Sequence, residues 1–171
     1  KKSPEPYSFT YQLVNLDSLT YRYGGRKYTL DDYINIFKVA GLIVVKDDKI
    51  LYENYDFGND ESTKWMSFSV TKSVTSMLIG AAIKDGFIKS VNDPISSYVT
   101  DLNQGNYSNV SIRDALQMSS GIDWNEDYAD SNSDVNIASG FNDTKLYSYL
   151  NKLEVSSKPG TKFNYNTAES N

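Results

Sequence analysis

The chain has 171 residues, of which 39% are hydrophobic and 13% aromatic, and it carries a formal net charge of −5. This composition indicates a folded globule with a sizeable core and excludes a disordered chain. The acidic balance, without a stripe of Lys or Arg, argues against nucleic acid or an anionic membrane surface as a partner, and the short apolar runs exclude a membrane span. These residues include no Cys and no His, which excludes disulfides, Ser-His-Asp catalysis and the usual metal sites, so a serine enzyme would need Lys or Tyr as its base.

Short strands and turns dominate the first third of the chain. Residues 9–16 and 19–23 have alternating apolar patterns, and Thr29 followed by Asp32 is typical of a helix start. The clearest hairpin lies within 40–57, where two β-rich runs flank the polar turn KDDK. We expect two antiparallel strands there.

The stretch 65–86, WMSFSVTKSVTSMLIGAAIKDG, predicts an extended approach followed by a helix. Ser69 opens the helical run, and Gly86 is typical of a left-handed helix stop. Apolar residues recur with a 3.6-residue period, which predicts a buried amphipathic helix. This stripe consists of Val70, Val74, Met77, Leu78 and Ala81.

Ser69 and Lys72 lie three positions apart, so their side chains share one face at the N-terminus of this helix. A lysine can activate a serine hydroxyl, and the free N–H groups of a helix start can stabilise a developing oxyanion. With 22 Ser and 14 Lys in the chain, chance alone gives about two such spacings. The spacing therefore leaves two readings open, a catalytic pair or a simple helix cap.

Further helices and a polar loop follow. Ser111 with Asp114 predicts a capping box for a helix that runs to about residue 118, and a second helix is expected from 142 or 143 to about 153. Between them, 123–134 (DWNEDYADSNSD) is acidic and aromatic, which indicates a surface loop.

Five stretches in this order resemble the serine β-lactamase and penicillin-binding protein superfamily, especially its class C-like branch of esterases, D-aminopeptidases and 6-aminohexanoate-dimer hydrolases. They cover most of residues 40–167 and read LIVVKDDKILYENY, SFSVTKSVTSMLIGAAIKDGFI, VNDPISSYV, SIRDALQMSSGIDWNEDY and PGTKFNYNT. The resemblance implies an α/β fold of the β-lactamase/transpeptidase type, with an antiparallel sheet flanked by helices and a helical subdomain. We expect residues 1–171 to form a single domain that carries the N-terminal part of this fold and lacks its C-terminal strands.

The resemblance also implies three catalytic residues. Ser69 would be the nucleophile that forms an acyl-enzyme, and Lys72 would accept or relay its proton. Tyr165, in a Pro-Gly-x-x-x-x-Tyr pattern, would be the partner base and later the acid toward the leaving group. A buried ammonium between a hydroxyl and a phenol would lower the pKa of both groups, which agrees with these roles.

The acidic aromatic loop supplies one candidate substrate contact. Tyr128 is expected to line the substrate mouth, with plain surface exposure as the alternative, whereas Trp124 is interpreted as loop packing. The acidic residues of this loop lack the ligand spacing of a calcium site, so we interpret them as solvated surface and expect no metal. They are Asp123, Glu126, Asp127 and Asp130.

Two departures from the family pattern limit what is carried over. Thr167 stands where class C β-lactamases have an Asn that contacts the β-lactam amide, which weakens a β-lactamase assignment. The residues stop at Asn171, before the family's C-terminal strands, so we expect 171 residues alone to be inactive and to need the remaining part of the same protein.

The sequence therefore predicts a serine hydrolase that cleaves a small-molecule amide or ester through Ser69 without a cofactor. The alternative is an inactive or penicillin-binding-type member that binds peptidoglycan-like or peptide ligands. An exported bacterial protein is the expected setting, because the chain is acidic and rich in Asn and Tyr.

Overall fold

The computed structural model describes residues 4–170. Its chain forms two compact units, Lys1–Met66 and Ser67–Asn171. The prediction of a single domain over 1–171 stays a prediction. No helix within the described residues is both long enough and apolar enough to span a bilayer.

The first unit begins with a two-stranded hairpin and a short helix. Strands β2 (Thr20–Tyr23) and β3 (Arg26–Thr29) pair antiparallel across a Gly-Gly turn in which both glycines have positive φ. Helix α1 (Leu30–Phe37) follows at once, because Thr29 and Asp32 form the predicted capping box by exchanging hydrogen bonds of 2.8 and 3.1 Å.

The second sheet of this unit has the order β1-β5-β4. Strands β4 (Gly41–Lys46) and β5 (Lys49–Tyr55) form the predicted antiparallel hairpin. Its turn is only two residues long, and both Asp47 and Asp48 have positive φ, as a type I′ turn requires. Strand β1 (Thr10–Tyr11) pairs parallel with β5 at one edge of this sheet.

The second unit begins with helix α2 (Thr71–Lys84), which ends before Gly86 (φ +81°) as predicted. The predicted buried face was wrong. Met77 is 65% exposed and Val74 47% exposed, whereas the half-buried face is another stripe. It consists of Lys72, Thr75, Ile79, Ala82 and Ile83.

The physical reason is that α2 carries apolar side chains on both of these faces, so periodicity alone could not tell which one the chain covers. A helix that is apolar nearly all round is typical of a position between two packed layers. Within residues 4–170, only the Lys72 side of α2 is covered.

The remaining elements of the second unit surround one apolar core. Helices α3 (Ile112–Leu116), α4 (Asp134–Ala138) and α5 (Asp143–Leu150) are short and begin with side-chain caps, including the predicted Ser111–Asp114 box. Short 3-10 turns connect them, among them Asn106–Asn109 and Thr167–Ser170. The core consists of Leu102, Tyr107, Val110, Ala115, Ile122, Trp124, Val135, Leu150 and Ala168.

A close backbone approach connects residues 118–121 to residues 156–164. The amide N–H groups of Ser156, Gly160 and Asn164 each donate to carbonyls of the 118–121 segment at 2.8 Å. Gly121 has φ +79°, and a Cβ there would lie 2.0 Å from the Ser157 carbonyl oxygen. Only glycine fits this position, because any side chain would force the two segments apart.

We therefore expect Gly121→Ala to destabilise the protein by about 2–5 kcal/mol, since it combines a left-handed conformation with overpacking. Urea unfolding of the full-length protein would measure this loss. Gly140→Ala is the matched control, because a Cβ there meets nothing within 4 Å, and it should change the unfolding free energy by less than about 0.5 kcal/mol. Equal effects of the two substitutions would contradict the proposed role of the close approach.

Candidate active site

Ser69 lies in a 3-10 turn, Phe68–Val70, that leads directly into α2. Its side chain is exposed. The preceding Phe68 has φ +44°, a left-handed conformation that is strained for a bulky aromatic residue. The turn therefore presents the Ser69 hydroxyl at the positive end of a 14-residue helix, where the helix dipole favours a negative charge.

Lys72 and Tyr165 meet although they are far apart in the chain. The Lys72 ammonium lies 5.9 Å from the centroid of the Tyr165 ring, which is within the range of a cation–π interaction. Both side chains are half-buried. The structure thus brings together Lys72 and Tyr165, two of the three predicted catalytic residues. The third, Ser69, lies about one helical turn before Lys72.

Hydrogen bonds on the preceding residue fix the approach to Tyr165. The Asn164 amide N–H donates to the Met118 carbonyl at 2.8 Å, and the Asn164 side chain donates to the Trp124 carbonyl at 3.2 Å. Asn164 therefore joins residues 164–167, here called the tyrosine segment, to the 118–121 segment. It also joins them to the loop that contains Trp124.

Within residues 4–170, no hydrogen bond joins the Ser69 hydroxyl to Lys72 or Tyr165. Catalytic hydrogen bonds are often long or absent in ligand-free structures and tighten once substrate is bound. The arrangement places a hydroxyl, a cation and a phenol around one helix start.

Glu126 connects the acidic aromatic loop to the tyrosine segment. Its carboxylate accepts hydrogen bonds from the Trp124 indole N–H (2.5 Å), the Tyr128 hydroxyl (2.9 Å) and the Thr167 amide N–H (3.0 Å), as well as from the Thr167 hydroxyl. The interpretation of Glu126 as solvated surface was therefore wrong. Sequence reasoning missed that the polar tips of Trp124 and Tyr128 both need a hydrogen-bond acceptor, and Glu126 lies between them in the chain.

Trp124 and Tyr128 differ in burial. Trp124 is 5% exposed and belongs to the core, which confirms its interpretation as packing. Tyr128 is 67% exposed, and its hydroxyl lies 3.5 Å from the Thr167 hydroxyl. This places Tyr128 beside the tyrosine segment, where a substrate-lining role stays a prediction.

Glu126 remains ionised in this environment. Partial burial by itself raises its pKa, but the hydrogen bonds from Thr167, Trp124 and Tyr128 outweigh burial and hold the pKa below its usual value. The part of the chain that the structure describes contains no group of three acidic side chains arranged to hold a metal ion.

Comparison with known proteins gives the family. The Beta-lactamase family model matches residues 36–171. The chain belongs to the Beta-lactamase family. This family member is also 30% identical, over 123 residues, to the 6-aminohexanoate-dimer hydrolase of Paenarthrobacter ureafaciens, an alignment that covers 72% of this chain and 30% of that protein.

Solved structures show the fold of this Beta-lactamase family member. One is a proposed 6-aminohexanoate-dimer hydrolase from Bacillus anthracis, with a TM-score of 0.70 and 19% identity over 96% of this chain and 46% of that chain. Another is a proposed beta-lactamase from Bacteroides dorei DSM 17855, with a TM-score of 0.63 and 20% identity over 82% of this chain and 40% of that chain. The fold is therefore β-lactamase-like, as predicted, and the chain spans less than half the length of each of these relatives.

The Glu126 contacts predict a specific pH dependence of stability. Because the folded-state pKa of Glu126 lies below its unfolded value of about 4.5, its contribution is present above pH 5 and is lost as the pH falls through the folded pKa. Glu126→Gln should lower the melting temperature at pH 7, and this difference from wild type should narrow as the pH falls below about 4.5.

Glu154→Gln is the matched control, since Glu154 is an exposed carboxylate whose side chain makes no hydrogen bond within residues 4–170. Differential scanning calorimetry of the full-length variants from pH 3 to 7 would measure both effects. Equal changes in melting temperature for Glu126→Gln and Glu154→Gln across this range would contradict the stabilising role of the ionised Glu126.

Proposed function

We propose that this chain carries the nucleophilic centre of a serine hydrolase that cleaves an amide or ester bond through an acyl-enzyme on Ser69. The observation that supports this proposal best is the approach of the Lys72 ammonium to the Tyr165 ring, 5.9 Å from its centroid. A simple helix cap at Ser69 would not need a lysine and a tyrosine from a distant segment beside it. Membership of the Beta-lactamase family and the hydrolase relative support the same assignment.

In the proposed acylation step, Lys72 and Tyr165 react as an ammonium beside a phenolate, so the Ser69 Oγ attacks the substrate carbonyl carbon while its proton passes to the Tyr165 oxygen. The tetrahedral oxyanion is stabilised by backbone N–H groups at the start of α2. Collapse of this intermediate breaks the bond to the leaving group, which takes the proton from Tyr165, and leaves an ester on Ser69. Water then attacks the ester with the same residues acting in reverse order.

The proposed substrates are small amides or esters. The Paenarthrobacter relative is named for the 6-aminohexanoate dimer. For this chain we propose only the general class of reaction, the hydrolysis of a small amide or ester. Thr167 supports a preference against β-lactams, because it replaces the Asn that the class C pattern uses and its hydroxyl is already hydrogen-bonded to Glu126.

A fluorophosphonate probe tests the nucleophile directly. We expect the full-length protein to gain one adduct by intact-mass spectrometry, and Ser69→Ala to gain none. Lys72→Met and Tyr165→Phe should slow labelling by about 10²–10⁴-fold, the usual contribution of a general base.

Two matched controls separate chemistry from folding. Ser73→Ala alters an exposed serine one turn along the same helix, and Tyr23→Phe alters a tyrosine that is 77% exposed; both should label at the wild-type rate. No adduct on the full-length protein would exclude the hydrolase proposal and favour the binding alternative. An adduct without turnover of short amides, esters or β-lactams would indicate a penicillin-binding type.

A further inference from the structure

A buried polar cluster adjoins Tyr165 through the next residue in the chain, Asn166. Asn166, the residue directly after Tyr165, is 1% exposed, and Tyr107 is 2% exposed. The Asn166 side-chain amide donates to the Tyr107 oxygen at 3.1 Å and to Glu169 Oε1 at 3.3 Å. The Tyr107 hydroxyl in turn donates to the same Glu169 oxygen at 3.2 Å.

This cluster is also tied to the backbone that follows Tyr165. The Asn166 side-chain oxygen accepts from the Ala168 amide N–H at 2.9 Å and so starts the 3-10 turn Thr167–Ser170. Helices α2 and α3 both pack against this turn. The residue after Tyr165 is therefore fixed to the core by its side chain, as Asn164 before it is fixed by backbone and side-chain bonds.

Glu169 is the one member of the cluster whose hydrogen bonding is incomplete. Its Oε2 is buried and has no hydrogen-bond partner within residues 4–170. The Ser120 hydroxyl is close enough to affect the carboxyl group but does not reach hydrogen-bonding geometry with Oε2. An orphan carboxylate oxygen is costly to bury, whereas a protonated carboxyl group leaves no charge to solvate.

We propose that Tyr107, Asn166 and Glu169 form a positioning cluster that holds the Tyr165 phenol over Lys72 when Glu169 carries a proton. The effect of this cluster on catalysis rests on the proposed function, whereas its effect on the position of Tyr165 does not. Loss of that proton to solvent leaves a buried carboxylate, which draws the donors of Tyr107 and Asn166 toward itself. Because Asn166 adjoins Tyr165 in the chain, the phenol moves with it.

The electrostatic surroundings agree with this geometry. Burial raises the pKa of Glu169 to about 7, with a further increase from the Asp114 carboxylate of α3, while the Ser120 and Tyr107 hydroxyls lower it in part. The groups that face Glu169 are thus Tyr107 and Asp114, and α2 brings Lys72 to the neighbouring Tyr165 ring. The proton on Glu169 would then be exchanged near neutral pH.

Nuclear magnetic resonance of tyrosine labelled with ¹³C at Cζ tests the coupling without requiring activity. The Tyr165 signal, assigned by its loss in Tyr165→Phe, should shift between pH 6 and 8 with a midpoint near 7 in the full-length protein. Glu169→Gln keeps the shape and the acceptor oxygen but cannot ionise, so it should abolish this shift. Glu154→Gln should preserve it, and the signal of the exposed Tyr23 should stay constant in all variants.

Labelling kinetics give the catalytic consequence. Tyr107→Phe keeps the buried ring but removes the hydroxyl, and it should slow probe labelling of Ser69 on the order of tenfold, as expected for a misplaced catalytic group. Wild-type labelling should decline from pH 6 to 8, whereas Glu169→Gln should label at the wild-type pH 6 rate across this range.

The outcomes separate the two proposals. A wild-type Tyr165 signal without a shift near pH 7, or a shift that persists in Glu169→Gln, would overturn the positioning cluster, and so would wild-type labelling rates in Tyr107→Phe. Absence of labelling in the wild-type protein would instead overturn the proposed function, while the resonance measurement would still decide the coupling. If Glu169→Gln does not fold, the Tyr165 shift measured in Tyr107→Phe decides in its place: loss of the shift supports the cluster, and an unchanged shift contradicts it.

Discussion

The position of Tyr165 depends on one backbone approaching another more closely than a Cβ atom allows. Gly121 faces the Ser157 carbonyl without a side chain, so residues 118–121 can accept hydrogen bonds from residues 156–164, which lead to Tyr165. Without this approach, Asn164 could not reach the Met118 carbonyl. The proposed site is thus built on a steric condition at a residue that touches no substrate.

Two carboxyl groups flank the tyrosine segment, and their surroundings favour opposite protonation states. Glu126 accepts four hydrogen bonds, which keeps its pKa low despite partial burial. Glu169 lies deeper, and burial raises its pKa to about 7; within residues 4–170, its Oε2 has no hydrogen-bond partner. The balance between burial and the number of donors therefore separates the pKa values of the two carboxyl groups.

Local features of the fold could be predicted from the sequence because they depend on residues close together in the chain. The Thr29–Asp32 and Ser111–Asp114 boxes involve partners three positions apart, and the β4–β5 hairpin depends on a turn of two residues. The covered face of α2 could not be predicted, since both of its apolar stripes satisfy the same period. Choosing between them requires knowing what packs on the helix, which is a tertiary property.

The candidate site shows the same division. Ser69 and Lys72 share a helical turn, so their proximity follows from spacing alone, whereas Tyr165 could be brought to Lys72 only by resemblance to a family. The contacts of Glu126 with Thr167, and of Tyr107 with Asn166 and Glu169, were missed because they join residues that are remote in sequence. Composition gives no sign that an acidic residue in a polar loop will accept four donors.

The hydrogen bonds of Thr167 also give a structural context for the presence of Thr in place of Asn at this position. In the sequence it reads only as the loss of an Asn. In the structure its amide and hydroxyl both bind Glu126, which also holds the Tyr128 hydroxyl beside them. An Asn side chain at this position would replace the Thr167 hydroxyl that donates to Glu126 with a longer amide group. Thr167 and Glu126 therefore form one hydrogen-bonded connection between the loop and the tyrosine segment.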